Sequence, residues 1–214
     1  MQYDTQKITT LVDQAKSNSQ KRNFQQAVEL VVNFRGLDVK APENRMNETV
    51  SLTHPIGRDL KVCIIADGDL VLKARQSGAD MVMTRQDLDQ YTGNKKAVKK
   101  LAESCDYFAA RTDLMATVGK TLGSVLGPRG KMPDPIPPQA NVDPLVKKYK
   151  NSVRIKIRDQ PAIRCRIGSE EMPSGDIAEN ILTVLGAIDR KIKLDQYLAS
   201  IIVKTTMGKP AKLR

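Results

Sequence analysis

The chain has few of the residues on which base stacking, metal binding and acid-base catalysis depend. It contains no tryptophan, and its three phenylalanines and five tyrosines make up 4% of 214 residues. So few aromatic rings argue against stacking of single-stranded bases as the main binding mode. The single histidine, His54, stands next to Pro55 and near Gly57, which indicates a structural strand end rather than a catalytic triad. No Asp, Glu and His cluster has metal-ligand spacing, so we expect neither metal nor cofactor.

Cysteine and long apolar runs are also scarce. Cys63, Cys105 and Cys165 lie 42 and 60 residues apart, form no CxxC pair and have apolar neighbours. Buried free thiols are therefore the prediction, against the alternatives of a disulfide or zinc ligands. No apolar run approaches the roughly 18 residues of a membrane span, and the charged N-terminal segment lacks an apolar signal core. The sequence predicts a cytosolic protein without a membrane partner.

Positive charge, in contrast, is abundant. The chain has 35 Lys and Arg against 24 Asp and Glu, a net charge of +11. An anionic partner is expected, and nucleic acid is the first candidate. Residues 151–214 carry 12 of the basic residues and 7 of the acidic ones, so the charge is most concentrated there.

Apolar periodicity predicts different structures for the first and middle thirds. In residues 1–59, it indicates a helix from Tyr3 to Ser19 and a strand at Thr49–Thr53. Ala27–Phe34 is apolar nearly throughout, and its β-branched residues favour a buried strand, although period alone leaves a helix open. In residues 60–150, short strands that are apolar on both faces alternate with helices. That alternation is typical of a parallel sheet with helices on both sides, a three-layer Rossmann-like α/β domain.

The last third, like the first, has the sequence patterns of amphipathic strands and helices. Alternation predicts strands at Ser152–Arg158, Ile163–Ile167 and Tyr197–Thr205, and Ser174 is expected to cap a helix that runs to Asp189. Neither terminal piece has enough elements to close a core alone. We therefore predict one discontinuous α+β domain, a two-layer sandwich of residues 1–59 and 151–214. Residues 60–150 form the inserted domain, and the two chain crossings form a hinge.

Three basic segments have the chemistry of nucleic-acid contact. If the strands around Pro161 pair as a hairpin, one face carries five cations that suit a phosphate backbone or, alternatively, solvent: Arg154, Lys156, Arg158, Arg164 and Arg166. Phe24 follows Lys21, Arg22 and Asn23, a combination suited to sugar, phosphate and base, although a lone Phe also serves as a core staple. Thr205–Lys209 combines hydroxyls, glycine and a cation, which favours close approach to RNA unless the segment is a frayed terminus.

The segment Leu122–Pro138 is rich in glycine and proline, so we expect neither helix nor sheet to run through it. Its apolar residues, with Arg129 and Lys131, indicate an ordered cationic loop. Just before it, Val118–Thr121 is similar to the end of a phosphate-binding P-loop. The glycine required five residues before Gly119 is Leu114, however, so a nucleotide site is not predicted. A nucleotide- or phosphometabolite-binding enzyme built on the middle domain is the alternative to a non-enzymatic RNA-binding protein, for which we assign no catalytic residue.

Several motifs together resemble the universal large-subunit ribosomal protein family L-one, over essentially the whole chain. The motifs are Leu-Gly-Pro-Arg-Gly-Lys-Met-Pro at 126–133, Thr-Met-Gly at 206–208, Leu-Thr-His-Pro at 52–55, and Arg-Asn-Phe at 22–24 ahead of Val28-Glu29. The segment Ala41–Arg45 is similar to the archaeal and eukaryotic branch of that family.

This resemblance implies a structural protein that binds a folded segment of large-subunit ribosomal RNA. It implies that the protein forms the mobile lateral stalk, contacts deacylated transfer RNA as it leaves the exit site, and represses translation by binding its own messenger RNA. The implied setting is the large subunit of the cytoplasmic ribosome, with a monomer when free. The family fold, a discontinuous domain that carries an inserted α/β domain, agrees with the division expected from the residues.

The resemblance also implies the contact residues. The matching RNA-binding positions are Phe24, Glu29, Thr206, Met207 and Gly208, where Glu29 would hydrogen-bond a ribose hydroxyl or orient the strand end. Less direct matches are Asn23, Lys204, Thr205, Arg158 and Arg164, and secondary RNA contacts are expected at Arg129 and Lys131. One departure is that Lys209 separates Gly208 from Pro210, whereas family members usually have proline directly after the glycine. The path of the following tail is therefore open.

Overall fold

The computed structural model describes residues 4–213, so Tyr3 and Arg214, which belong to the predicted first helix and basic tail, lie outside the described part. The chain divides into two compact units. One unit contains the chain up to Arg58 and from Asn151 onward, and the other is Asp59–Lys150. The main chain passes from one unit to the other at these two places.

Ten strands and nine α-helices are found in the described residues. In chain order they are α1 (Thr5–Ser17), β1 (Ala27–Phe34), β2 (Met46–Ser51), β3 (Val62–Ile65), α2 (Asp69–Gln76), β4 (Met81–Met83), α3 (Arg85–Gln90), α4 (Lys95–Ser104), β5 (Tyr107–Arg111), α5 (Met115–Thr121), α6 (Gly123–Arg129), β6 (Asp134–Ile136), α7 (Val142–Lys150), β7 (Ser152–Ile157), β8 (Ala162–Ser169), α8 (Ser174–Asp189), α9 (Leu194–Tyr197), β9 (Leu198–Thr205) and β10 (Ala211–Leu213). Short 3-10 helices cover Pro42–Asn44 and Thr112–Leu114.

The terminal thirds form an antiparallel sheet in the strand order β10-β9-β1-β8 and a separate antiparallel pair, β2-β7. Strand β1 lies inside the larger sheet, and its residues alternate between half-buried and buried along the whole strand. This alternation is the period of a sheet with one face in the core. A strand, rather than a helix, at Ala27–Phe34 is therefore confirmed.

Two helices cover the core of this unit. Helix α1 packs against α8 and β9 through Ile8, Leu11, Val12 and Ala15, which repeat at helical spacing. Helix α8 buries seven residues, among them the amide side chain of Asn180. That side chain donates to the main-chain oxygens of His54 and Ile167 and accepts from the main-chain N–H of His54. The Leu-Thr-His-Pro turn is thereby fixed to α8.

The middle third forms a parallel sheet in the order β4-β3-β5-β6, as its alternating strands and helices predict. Strand β3 is fully buried, and the core around Phe108 extends from Cys63 to Leu126 in sequence. Fully buried strands with continuous apolar sequence are characteristic of parallel sheets. All three cysteines are free thiols and buried, as expected.

The prediction that neither helix nor sheet runs through Leu122–Pro138 is wrong, because the segment contains α6 and β6. Gly130 adopts φ +68° and ends α6, and the N–H of Lys131 donates to the carbonyl of Leu126, the bond pattern of a glycine-terminated helix. Pro135 lies in β6, an edge strand, where a missing N–H costs no ladder bond. The glycine and proline therefore occupy positions that helix ends and sheet edges tolerate.

Two further predictions need correction. The strands on either side of Pro161 do not pair as a hairpin, because β7 pairs with β2 and β8 with β1. The five cations of these strands are consequently divided between two sheets. Ser174 is the first residue of α8 and its side chain makes no capping hydrogen bond, since Pro173 occupies the position before the helix.

Candidate nucleic-acid interface

The candidate site lies where the end of β9 meets the beginning of β1. Val28 is opposite Thr205 in the antiparallel register. Beyond that pair, the N–H of Thr206 donates to the carbonyl of Ala27 at 3.0 Å, and the N–H of Ala27 donates to Thr206 Oγ1 at 3.0 Å. These bonds join Thr206 to Ala27, which follows the predicted Asn23–Phe24 segment by three residues, although about 180 residues of sequence separate the two partners.

Two large apolar side chains are exposed at this strand end. Phe24 is 51% exposed and Met207 is 61% exposed, and in the described part of this unit no other large apolar side chain is as open. An aromatic ring and a flexible thioether present broad, polarizable contact surfaces to a base or ribose. The exposure of Phe24 contradicts its interpretation as a core staple, and the hydrogen bonds between Thr206 and Ala27 contradict a frayed end at Thr205–Lys209.

A network of polar side chains lies next to this turn, and two of its members, Gln26 and Thr205, are fully buried. The side chain of Gln26 has no exposed surface, and its Oε1 accepts from the N–H of Met207 at 3.1 Å. Its Nε2 lies within 3.1 Å of Ser19 Oγ, the Gln20 carbonyl and Glu170 Oε2. Thr205, which is also fully buried, donates from Oγ1 to Ser19 Oγ at 2.8 Å.

Gly208 allows the chain to turn close to this network. A Cβ at that position would lie 2.2 Å from Thr205 Oγ1 and 3.2 Å from Ser19 Cβ. Its N–H also closes the turn by donating to the carbonyl of Thr205 at 3.3 Å. Only a residue without a side chain fits between these atoms, so the Gly in the Thr-Met-Gly motif has a packing reason at this position.

Charged residues of alternating sign continue along the outer face of the sheet. Glu29 on β1 is opposite Lys204 on β9 and opposite Arg166 on β8. Opposed residues of neighbouring strands have Cβ atoms about 5 Å apart, so the carboxylate lies between two cations. Burial lowers the pKa of the Arg166 guanidinium and the nearby Arg58 adds to the shift, whereas Glu29 opposes it.

Arg158 and Arg164 lie away from the Phe24 and Met207 cluster. The turn that follows Arg158 contacts the opposite end of β1, where the N–H of Phe34 donates to the carbonyl of Pro161. Since β1 has eight residues, the two ends are roughly 23 Å apart at about 3.3 Å per residue. Both arginines line a surface depression of about 250 Å³ that Lys156 also borders. The predicted contact residues therefore fall into two patches.

Arg129 and Lys131 are used within the Asp59–Lys150 unit. Lys131 Nζ donates to the carbonyls of Ala102 and Cys105 at 2.8 and 2.7 Å, and Arg129 Nη2 donates to Glu103 at 3.0 Å. Cations at the carboxyl end of α4 satisfy its terminal carbonyls and its dipole. This use favours a structural role for the two side chains.

The features that suggested an enzyme have structural explanations. Val118–Thr121 lies in α5 instead of a strand-to-helix loop, so its N–H groups do not converge on a phosphate. His54 Nε2 lies 2.9 Å from Glu179 on the surface of α8. No group of His, Cys, Asp and Glu in residues 4–213 has the geometry of a metal site. Within the same residues, no helix is long and apolar enough to cross a membrane.

Sequence reasoning missed the hydrogen bonds that the buried Gln26 makes with Ser19 and Glu170. A glutamine beside a second glutamine at the start of a strand is typical of solvent-exposed sequence, and nothing in its neighbours shows that it is buried. The one hint of burial in the sequence is a lack of charge, since Gln25 and Gln26 are uncharged residues between the basic Lys21-Arg22 pair and an apolar strand. Its role depends on residues about 145 and 180 positions later.

Comparison with known proteins gives one consistent result. Residues 15–209 match the ribosomal protein L1p/L10e family. The chain is similar to the large ribosomal subunit protein uL1 of Hyperthermus butylicus, with 43% identity over 97% of this chain and 95% of that one. It is 48% identical to the protein of the same name from Thermofilum pendens, over 92% and 88% of the two chains. The corresponding protein of Methanobrevibacter smithii is 44% identical, over 95% and 97%.

Proposed function

Because the chain belongs to the ribosomal protein L1p/L10e family, we propose that its exposed Phe24 and Met207 form the centre of a ribosomal RNA-binding surface. The protein is a non-enzymatic structural component of the large ribosomal subunit that binds ribosomal RNA, and it works in the cytoplasmic ribosome. The site assignment depends on one observation: Phe24 and Met207 are 51% and 61% exposed, while the main chain of Met207 is held by a hydrogen bond to the buried Gln26 side chain.

Each residue of this surface has a distinct task. Phe24 packs its ring on a base or ribose, and Met207 packs beside it, while Asn23 supplies an amide to sugar or phosphate. Lys204 attracts phosphate, and Glu29, between two cations, accepts from a ribose 2′-hydroxyl. Gly208 lets the RNA backbone come close. Thr205 and Thr206 support the surface, because their hydroxyls are already bonded to Ser19 and to Ala27.

Arg158 and Arg164 form a second, purely electrostatic patch. Their depression is bordered by Lys156 and lies toward the far end of β1. Guanidinium groups match the geometry of phosphate oxygens, so this patch suits the backbone of a folded RNA more than any particular base. A folded RNA that extends along the sheet face contacts both patches, whereas a short oligonucleotide contacts one of them.

The proposal extends to the organisation and partners of the chain. Residues 1–59 and 151–214 act as the discontinuous RNA-binding domain, a two-layer sandwich, and residues 60–150 as a three-layer Rossmann-like insertion. The protein contributes to the mobile lateral stalk, contacts exit-site transfer RNA and binds its own messenger RNA as a repressor. It is a monomer when free. These statements rest on family membership and on the resemblance of the quoted motifs.

A filter-binding titration against a transcript of the stalk segment of the large-subunit ribosomal RNA tests the proposal. We expect affinity to fall at least about tenfold between about 50 and about 200 mM salt, because a few neutralised phosphates release their counterions. Met207→Asp should lower the affinity by at least about tenfold, since it sets an anion against RNA in place of an apolar contact. The folding stability should stay unchanged because the side chain is exposed.

Leu72→Asp is the matched control for Met207→Asp. Leu72 is 62% exposed but belongs to the Asp59–Lys150 unit, so the same change in charge and polarity should leave RNA affinity unaltered. If Met207→Asp and Leu72→Asp bind the transcript equally well, the assigned surface is incorrect.

A further inference from the structure

We infer that Gln26 is a positioning residue for RNA binding, whose buried amide holds Phe24 and the Met207 turn in one binding-ready arrangement. Nothing in the sequence motifs marks this residue. The inference rests on the proposed function, because it concerns how the Phe24 and Met207 surface is organised. Gln26 does not touch RNA itself, since its side chain has no exposed surface.

The amide of Gln26 connects three separate parts of the chain. Its Nε2 bonds Ser19 Oγ and the Gln20 carbonyl, in the segment that follows α1. Its Oε1 accepts from the N–H of Met207 after β9, and its main chain exchanges bonds with Glu170 after β8. Glu170 also accepts from Nε2 at 3.1 Å. Every polar group of the residue is thereby satisfied, which a buried amide requires.

The bond to the N–H of Met207 is the functionally decisive one. Met207 lies two residues after Thr205, the last residue of β9, so the sheet ladder no longer fixes its main chain. Thr206 is tied to Ala27, and Gln26 ties the next residue. Phe24 is only two residues before Gln26 on the same chain segment. One buried side chain therefore sets the spacing of both exposed contacts, and that pre-organisation lowers the entropy lost on binding.

The charge of the network supports this role. Glu170 uses one carboxylate oxygen for the N–H of Gln26 and the other for Nε2. A neutral amide pairs with this half-buried carboxylate without adding a second negative charge near a surface that must attract phosphate. A carboxylate at position 26 would repel Glu170, and an apolar side chain would leave the carboxylate oxygen and the Met207 N–H without their partner.

The experiment measures binding of the full chain and its variants to the stalk RNA transcript, with association and dissociation rates recorded separately. We expect Gln26→Met to weaken binding about tenfold, mainly through faster dissociation, because the contact residues are present but mobile. The slope of log affinity against log salt should not change, since no phosphate contact is removed. Hydrogen exchange at the Met207 N–H should accelerate while the N–H groups inside β1 stay protected.

Asn33→Leu is the matched control. Asn33 is another amide on the same stretch of chain, and its Nδ2 donates to Ser200 Oγ at the opposite end of β1. The substitution also removes a hydrogen bond made by a side-chain amide, so it controls for a general loss of stability. It should leave the rate of RNA dissociation unchanged. If Asn33→Leu accelerates dissociation as much as Gln26→Met, Gln26 acts through overall stability and the inference fails.

A double-mutant cycle separates this inference from the proposed site. If Gln26 acts through Met207, then Gln26→Met should add little to the loss already caused by Met207→Ala. Additive losses overturn the positioning role while leaving the site assignment intact. An unchanged affinity for Met207→Ala overturns both. If Gln26→Met does not fold, Ser19→Ala takes its place, since it removes one acceptor of the amide, and an approximately threefold loss is expected.

Discussion

At the scale of single residues, Lys131 acts as the terminal partner of a helix. Its ammonium group donates to two carbonyls at the end of α4, those of Ala102 and Cys105. A lysine in a glycine-rich sequence suggests a site for an anionic ligand, but here its ammonium group binds main-chain carbonyls of the protein. Secondary RNA contact by Lys131 stays a prediction, and a structural role has the direct geometric support.

Lys131→Met should lower the free energy of unfolding by about 1–3 kcal/mol, because two carbonyls lose a charged donor and one of them belongs to a part-buried helix end. Urea denaturation measures the change. Lys99→Met removes the same charge from the exposed face of α4 and should change stability by less than about 0.5 kcal/mol. Equal losses for the two variants would contradict the helix-end role.

Cys165 makes stability depend on alkaline pH. Burial raises the pKa of its thiol to about 12, from an ordinary value near 9. The unfolded chain therefore ionises this thiol first, so its contribution to stability is complete below pH 9 and is lost as the pH rises toward 12. We expect a loss of about 1.4 kcal/mol per pH unit in that interval.

The measurement is the difference in unfolding free energy between the wild-type chain and Cys165→Ala, determined by urea denaturation at several pH values. The cavity left by the substitution lowers stability at every pH, whereas the thiol term shrinks above pH 9. A difference that stays constant from pH 8 to pH 11 would show that the thiol ionises equally in both states.

At the scale of elements, the turn after β9 depends on Gly208. Gly208→Ala would push a methyl group against Thr205 Oγ1 and break the bond from that hydroxyl to Ser19. We expect RNA affinity to fall about tenfold and stability by about 1 kcal/mol, as measured by filter binding and urea denaturation.

Gly186 provides the contrasting glycine. It lies inside α8 with open space around the position of a Cβ. Gly186→Ala should therefore stabilise the protein by about 0.5–1 kcal/mol and leave RNA affinity unchanged, because alanine loses less backbone entropy in a helix. A loss of RNA binding in Gly186→Ala would mean that the effect of Gly208→Ala is not local.

Helices and strands could be predicted from the sequence where the local pattern of apolar residues is enough to distinguish one from the other. The β-branched apolar sequence of β1 and the helical spacing in α1 depend only on neighbouring residues, and both were recognisable. Helix α6 was not, because Gly127 and Pro128 lower helix propensity and the deciding feature is the left-handed Gly130 at its end. Helix propensity is an average over all helix positions, whereas Gly127, Pro128 and Gly130 lie at the end of the helix, where such residues are tolerated.

Pairing partners were harder to predict than the elements themselves. Consecutive strands usually neighbour each other, so the short Asp159–Pro161 connection suggested a β7–β8 hairpin. The actual partners, β2 and β1, lie more than 100 residues earlier, and no local pattern encodes such a choice. Gln26 was missed for the same reason, since its partners Glu170 and Met207 are distant in sequence. Phe24 and Met207 were predicted because each belongs to a recognisable motif.

At the scale of the whole molecule, each unit has its own core. The cluster around Phe108 consists of residues from Cys63 to Leu126, all within the Asp59–Lys150 unit. All the residues of this cluster thus come from a single unit. The candidate RNA-binding residues Phe24, Glu29 and Met207 all belong to the other unit.

Residues 59–150 produced alone should unfold cooperatively in urea, because they contain a buried apolar cluster formed entirely by their own residues. The fragment should not bind the stalk RNA transcript, and isothermal titration should detect no binding of nucleotide, since Val118–Thr121 is helical. Nucleotide binding by the fragment, together with no RNA binding by the full chain, would favour the enzyme interpretation instead.

The position of β1 between β8 and β9 also determines when the proposed binding surface can form during synthesis. A translating ribosome makes Phe24 early, then the whole Asp59–Lys150 unit, and only much later β9 and Met207. An unfinished chain can complete the middle unit while β1 still lacks both neighbours. The proposed surface is thus complete only in chains synthesised through Gly208, and we expect that nascent or prematurely ended chains do not compete for RNA.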